Sequence, residues 1–122
     1  MIALALQAAM AFNLICTGTV REVPTELRPT TDAGSFRVVY RIDLRSGRYC
    51  TGECLSTAPL QSVTATEIRF WSADYRAPVP RGIEVFERVT GRYRDIKLRN
   101  PISTHRNGSC QLAPFTGFPA SR

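Results

Sequence analysis

The fold is decided by residues 35–54, with the sequence SFRVVYRIDLRSGRYCTGEC. From residue 36 to residue 44, every second side chain is apolar. These side chains are Phe36, Val38, Tyr40, Ile42 and Leu44. A period of two is typical of a strand with one face in a core and the other in water. Arg45-Ser46-Gly47 then predicts a turn, and Arg48-Tyr49 starts a second extended segment that leads into two cysteines.

Two segments on either side of this stretch predict further strands. Residues 12–20, FNLICTGTV, alternate in the same way and predict the first strand. Residues 67–72, EIRFWS, predict another, with Ile68 and Phe70 on the core face. Residues 62–66 fit a short strand or a turn.

The chain from residue 83 to residue 98 predicts a β-hairpin. Thr90-Gly91 separates two extended runs, and glycine accepts the positive φ that a tight turn requires. In the first run the alternation predicts a core face and an outer face. The predicted core face holds Ile83, Val85 and Val89, and the predicted outer face holds Glu84, Phe86 and Arg88.

The remaining segments are rich in proline, glycine and polar residues, which predicts irregular chain. They are residues 21–34, 55–61, 73–82 and the tail from residue 99. Beyond residue 12, apolar positions never recur at helical spacing for more than about a turn. The chain is therefore predicted to be a single all-β domain, a small antiparallel meander that forms a barrel or a sandwich and is stapled by disulfides.

The N-terminus resembles an export signal. Residues 2–12 are apolar except for Gln7, and Ala9-Met10-Ala11 has the small-x-small form of a signal-peptidase site. The apolar run is too short to span a bilayer, which takes about 18 residues or more. We expect a signal-peptide-like segment at residues 1–11, a single β domain at residues 12–122, and no transmembrane segment. Since no basic residue precedes Arg21, the alternatives are a longer true leader or a short retained helix.

The four cysteines form an even set, which together with an export signal indicates disulfides. We predict a local bridge between Cys50 and Cys54, because Gly52 lets the chain turn back between them. The second bridge would join Cys16 to Cys110 and fasten the tail to the first strand. A zinc site would require paired short spacings, and a redox pair would require Cys-x-x-Cys at a helix N-terminus, so these are the alternatives.

The net charge is +6, from 16 basic and 10 acidic residues. No three basic residues are adjacent, so the charge predicts no specific nucleic-acid binding. Our candidate binding residues are Trp71, Tyr75, Arg69 and Arg76, because aromatic rings beside guanidinium groups can stack on a sugar or a base. The alternative is that Trp71 only covers the edge of the core.

Catalytic motifs are scarce, and we predict no catalytic residue, cofactor or metal. The single histidine, His105, lies in a predicted loop, and no Gly-x-Ser-x-Gly elbow is present. A carboxylate pair for glycoside hydrolysis could be drawn from five acidic residues, but cross-strand pairing with arginines also explains them. These residues are Asp43, Glu53, Glu67, Glu84 and Glu87.

Short motifs are spread over nearly all of residues 12–122. They are Phe12-x-Leu14-x-Cys16-x-Gly18, Tyr40-x-Ile42-Asp43, Tyr49-Cys50-x3-Cys54, Thr90-Gly91-Arg92-Tyr93 and Pro114-Phe115-x-Gly117-Phe118-Pro119. Together they resemble a set of small exported bacterial proteins of unknown function. The resemblance implies no activity and no functional residues.

Ser46-Gly47-Arg48-Tyr49 is similar, with one residue fewer, to the Ser-Gly-x-Arg/Lys-Tyr loop of periplasmic lysozyme inhibitors. This weaker likeness implies a small eight-stranded barrel with a protruding inhibitory loop. The positive charge argues against it, because lysozymes are themselves basic and would be repelled.

The sequence therefore favours a non-enzymatic periplasmic or secreted β domain with a binding or structural role at the cell envelope. Its expected partner is an anionic envelope polymer or a protein. The attraction would come from Arg37, Arg41, Arg69 and Arg76. The alternatives are a lysozyme-inhibitor-like protein and a small hydrolase that uses His105.

Overall fold

The chain forms one antiparallel sheet, seen in a computed structural model that describes residues 10–24, 29–73, 81–99 and 101–119. Over these residues it has nine strands and no helix. The strands are β1 Ala11–Pro24, β2 Thr31–Asp43, β3 Arg48–Thr51, β4 Ala58–Pro59, β5 Ser62–Val63, β6 Glu67–Ala73, β7 Arg81–Glu87, β8 Arg92–Leu98 and β9 Ile102–Ala113. Their order across the sheet is β4-β3-β2-β1-β9-β8-β7-β6-β5. The all-β prediction is confirmed.

The sheet curls so strongly that strands far apart in its order meet across its inner face. The Tyr40 ring on β2 stacks on the Phe70 ring on β6 with 4.1 Å between centroids, although four strands separate β2 from β6. Residues 60–61 join β4 to β5, which are the two edge strands of the sheet, and form hydrogen bonds near each edge. Leu60 donates its backbone N–H to the turn before β3 at 2.8 Å, and Gln61 donates its N–H to β6 at 2.9 Å. The architecture is therefore a curled, barrel-like sheet and not a pair of stacked sheets.

The hydrophobic core lies on the inner face of this sheet. Its buried members come from β1, β2, β6, β7 and β8. They are Phe12, Leu14, Cys16, Tyr40, Ile42, Ile68, Phe70, Phe86 and Tyr93. The core faces predicted for β1 and β2 are confirmed, as is the burial of Ile68 and Phe70 on β6, but a register shift after Arg69 turns Trp71 onto the core face as well. Each large apolar side chain buried there contributes about 1.5–3 kcal/mol relative to leaving it exposed.

The prediction that the tail is irregular is wrong, because residues 102–113 form β9 at the centre of the sheet. Its sequence, ISTHRNGSCQLA, has no apolar alternation and so gives little local strand signal. The strand is instead stabilised from both sides, since β9 pairs with β1 along one edge and with β8 along the other. These non-local pairs override weak local propensity.

Part of the segment predicted to be irregular, residues 21–34, is instead strand. β1 continues to Pro24 and β2 begins at Thr31, with Arg21 paired to Asp32 and Glu22 to Thr31. Extended pairing satisfies backbone N–H and C=O groups whatever the side chains are, which explains why polar sequence is ordered here.

The face predicted for β7 is wrong. Phe86 is fully buried on the inner face, between core strands β6 and β8, and Glu84 shares that face. Val85 is also fully buried, on the opposite side, so burial on both faces defeats an assignment by alternation. Val89 lies beyond the strand and is exposed, whereas Arg88 is buried and its Nη1 donates to the Thr64 carbonyl at 2.8 Å.

Both predicted disulfides are confirmed. Cys16 on β1 lies directly opposite Cys110 on β9 and is bonded to it, and Cys50 is bonded to Cys54. No free cysteine remains, so no thiolate is available for the zinc alternative. Disulfides of this kind are typical of an oxidising compartment.

Candidate functional site

The inner face of the sheet changes from apolar to charged towards one end. Beyond the aromatic core, successive strands contribute polar side chains in register: Glu84 on β7 is opposite Asp95 on β8, and Asp95 is opposite Arg106 on β9. One step further along, Lys97 is opposite Thr104. The sheet register therefore assembles a charged end from residues that are far apart in sequence.

A cleft of about 200 Å³ opens at this end. We call it the charged cleft. Its lining residues are Asp95, Lys97, Arg99, Thr104 and Arg106. Three cations therefore face one carboxylate, and the positive charge exceeds the negative charge. Such a site favours ligands that carry an anionic group.

Asp95 is buried in the cleft wall and incompletely paired. The residue is 5 % exposed, and its Oδ2 lies 3.6 Å from Nζ of Lys97. Its other oxygen, Oδ1, is buried and accepts no hydrogen bond from the described residues. A buried acceptor without a donor costs about 1–3 kcal/mol or more, so a ligand that donates to Oδ1 would recover this free energy.

Arg106 is held against an aromatic side chain. Its Cζ lies 5.7 Å from the centroid of the Phe36 ring, within the range of a cation–π contact. This contact limits the freedom of the guanidinium group. It leaves a planar, permanently charged donor group at the cleft.

Next to the cleft, three side chains on the inner face of the sheet form a hydrogen-bonded cluster. The Tyr40 hydroxyl donates to Oε2 of Glu84 and also contacts the Tyr93 hydroxyl. Burial raises the pKa of Glu84, and the nearby negative charge of Asp95 adds to this effect. Burial also raises the pKa of Tyr40 and of Tyr93, so both remain hydroxyl donors. The cluster therefore places a carboxyl group with a raised pKa and two hydroxyl groups next to the charged cleft.

The raised pKa of Glu84 predicts a pH dependence of stability. Because the folded state keeps the proton to higher pH than the unfolded state, stability is full below the unfolded pKa, near 4.5, and falls as pH rises through the folded pKa. Glu84→Gln cannot ionise and can still accept from Tyr40. The variant should therefore gain stability relative to the parent as pH rises from about 4 to about 8.

The measurement is denaturant unfolding of both proteins over that pH range, with the difference in unfolding free energy plotted against pH. Glu53→Gln removes an equal charge from an exposed loop position and serves as the control. If the stability of Glu84→Gln relative to the parent stayed constant or decreased as pH rose, the raised pKa of Glu84 would be contradicted.

The candidate binding residues from the sequence lie partly at this end of the sheet. Trp71 is half-buried, and its Cζ3 lies 2.8 Å from where a Cβ on Gly82 would be, so the indole ring covers that glycine. Arg69 faces away from the core and pairs with Glu67 at 2.9 Å. Tyr75 and Arg76 lie outside the described residues. Trp71 does not line the charged cleft: it packs against the core and covers Gly82, whose partner on β8 is the cleft residue Lys97.

His105 is not in a loop, as was predicted, but within β9. It pairs with Arg21 on β1 and Ile96 on β8, on the face opposite to Arg106. None of the described residues forms a hydrogen bond with its imidazole. The hydrogen bond from His105 to a nucleophile or carboxylate that the hydrolase alternative requires is therefore absent among the described residues.

Half of the Ser46–Tyr49 segment required by the lysozyme-inhibitor alternative is part of the sheet, because Arg48 and Tyr49 lie in β3 and Ser46 and Gly47 lie in the turn before it. Only Arg45 and Ser46 are exposed at the turn. Arg48 donates from Nε to Oγ1 of Thr57 at 2.7 Å, and the Tyr49 ring packs 5.1 Å from the Phe70 ring centroid. The exposed part of the motif is therefore short.

The sequence could have indicated part of this site. In β8, RYRDIKL, the buried Tyr93 is in phase with Asp95 and Lys97, so alternation places all three on one face. The contribution of β9 carried no such signal, because the strand itself was not predicted.

No family model, curated protein or solved structure matches this chain. In the described ranges no helix is long and apolar enough to cross a membrane. Across the same residues, no three His, Cys, Asp or Glu side chains are grouped so that they could hold a metal ion.

Proposed function

We propose that this chain is a non-enzymatic, periplasmic or secreted domain that binds an anionic polymer of the cell envelope in the charged cleft. The observation that carries the proposal is the excess of cations there, with Lys97, Arg99 and Arg106 around one carboxylate. The net charge of +6 would accelerate encounter with a polyanion. The two disulfides support an oxidising location outside the cytoplasm.

The charge distribution in the cleft favours binding over catalysis. Among the described residues, Glu84 is the carboxylate whose pKa is raised, and it is hydrogen-bonded within the Tyr40–Tyr93 cluster and does not line the cleft. The cleft itself offers cationic donors, which hold anions without chemical change. These groups are suited to recognising carboxylate or phosphate.

Binding to an anionic polymer should weaken steeply with salt. Each cation that pairs with the polymer should release a counterion from it, as happens when proteins bind nucleic acids. For three such cations, affinity should fall roughly 20- to 40-fold between about 50 and about 200 mM salt. The measurement is a titration of the full chain with polygalacturonate, followed by the fluorescence of Trp71, the single tryptophan.

Arg106→Gln should lower both the affinity and the steepness of the salt dependence. Arg37→Gln, which removes one exposed charge from the opposite face of β2, is the matched control. Affinity that is independent of salt, or an equal loss in the two variants, would contradict binding in the cleft.

A further inference from the structure

The charged cleft and the inner face beside it have three chemically different features that one kind of ligand can satisfy together. The first is the set of cations Lys97, Arg99 and Arg106, which bind an anionic group. A simple anion satisfies this first feature and leaves the other two unused. Those two features decide the ligand class.

The second feature is the unpaired oxygen of Asp95. Oδ1 is buried in a residue that lines the cleft and is 5 % exposed, and it accepts no hydrogen bond from the described residues, so a ligand donor reaches it when the carboxylate turns towards the cleft. A carboxylate oxygen accepts and never donates, so the complementary ligand group is a hydroxyl or another N–H or O–H donor. The ligand therefore carries a donor close to its anionic group.

The third feature is the indole ring of Trp71. It lies on the inner face over Gly82, which has no side chain to displace it and is paired with Lys97 in the cleft wall. The ring is partly exposed and lies over β7, the neighbour of the strand that carries Lys97, so it offers an apolar surface beside the cleft and not within its lining. The C–H face of a sugar ring packs on such a plane, whereas a plain carboxylate does not.

From these features we infer that the charged cleft recognises a single anionic sugar unit of the polymer. Its acidic group binds to Lys97, Arg99 and Arg106, a ring hydroxyl donates to Oδ1 of Asp95, and the ring packs towards Trp71. The cleft has a volume of only about 200 Å³, so one unit enters and the rest of the polymer stays outside. This inference rests on the proposed function and specifies its ligand.

The test compares two carboxylate polymers. Polygalacturonate carries ring hydroxyls beside each carboxylate, whereas polyacrylate has carboxylates on a hydrocarbon chain and no donor. Asp95→Asn keeps the shape of the side chain but removes the negative charge. Hydrogen bonds to a charged acceptor are about twice as strong as those to a neutral one, so affinity for polygalacturonate should fall about three- to tenfold.

Polyacrylate should respond in the opposite direction. Removing a negative charge from a cationic cleft strengthens the attraction for a ligand that makes no use of Asp95, so Asp95→Asn should bind polyacrylate equally or more tightly. Glu53→Gln removes a charge from an exposed loop residue and should leave the preference between the two polymers unchanged. If Asp95→Asn tightened binding of both polymers, the sugar inference would be overturned and the proposed function would stand.

A second measurement needs no variant. In the unmodified chain, polygalacturonate should shift the emission of Trp71, and polyacrylate should bind without that shift. Equal shifts from both polymers would contradict packing of the sugar on Trp71. If neither polymer bound at about 50 mM salt, the proposed function would itself fail.

Competition identifies the acidic group. Displacement of polygalacturonate by glucuronate or by glucose 6-phosphate would support an anionic sugar and show whether carboxylate or phosphate fits better. Glucose has the hydroxyls but no charge and should displace nothing at the same concentration. If glucose displaced polygalacturonate as strongly as glucuronate and glucose 6-phosphate do, the role of the cations would be overturned.

Discussion

Replacing Cys16 and Cys110 together by alanine should lower the free energy of unfolding by about 4 kcal/mol. The bridge joins residues 94 positions apart and so restricts the unfolded chain over most of its length. Small domains are stable by only about 5–15 kcal/mol in total, so this loss is a large part of the whole. Denaturant unfolding of the parent and the variant measures it directly.

The second disulfide provides an internal control. Cys50 and Cys54 are only 4 positions apart, and in the same chain-entropy treatment their bridge contributes roughly 2 kcal/mol. The paired variant Cys50→Ala with Cys54→Ala should therefore be the more stable of the two. Equal losses, or a greater loss for the short bridge, would contradict the role assigned to the Cys16–Cys110 bond.

Gly108→Ala should destabilise the chain by at least about 3 kcal/mol. A Cβ at this position would lie 1.9 Å from the Thr17 carbonyl oxygen and 2.8 Å from Cα of Gly18. Both are backbone atoms of β1, so β1 and β9 would have to separate where they are directly paired. Where no clash exists, glycine to alanine usually stabilises by about 0.4–1 kcal/mol through the unfolded state, so the expected sign is reversed.

Ser109→Ala is the matched control for this substitution. Ser109 is the next residue of β9 but is exposed and points to the opposite face, so its loss should change stability by less than about 0.5 kcal/mol. Gly18→Ala should behave like Gly108→Ala, because its Cβ would lie 2.0 Å from the Asn107 carbonyl oxygen. If Gly108→Ala and Ser109→Ala had the same free energy of unfolding, the close approach of β1 and β9 would be contradicted.

Local pattern predicted the strands whose inner face is apolar. Tyr40 and Ile42 on β2 and Ile68 and Phe70 on β6 alternate with polar residues, and all four are buried. The cysteine spacing likewise predicted both disulfides. In each case the information lies within a short segment or in a simple count.

The parts that local pattern missed depend on contacts between distant segments. β9 is a strand because β1 and β8 pair with it on both sides, although its own sequence is largely polar. The charged cleft needs that strand and its register, which place Arg106 opposite Asp95 and Thr104 opposite Lys97. Charged side chains on the inner face of β8 also run against the expectation that strand charges are solvated.

Binding at the charged cleft can be tested most directly by mapping where the polymer contacts the chain. The measurement is a titration of the isotope-labelled chain with polygalacturonate at about 50 mM salt, with backbone amide shifts followed by NMR. We expect the largest shifts at Lys97, Arg99 and Arg106 and around Trp71. Shifts confined to the arginines of the opposite face, Arg37, Arg92 and Arg94, would contradict a ligand site in the cleft.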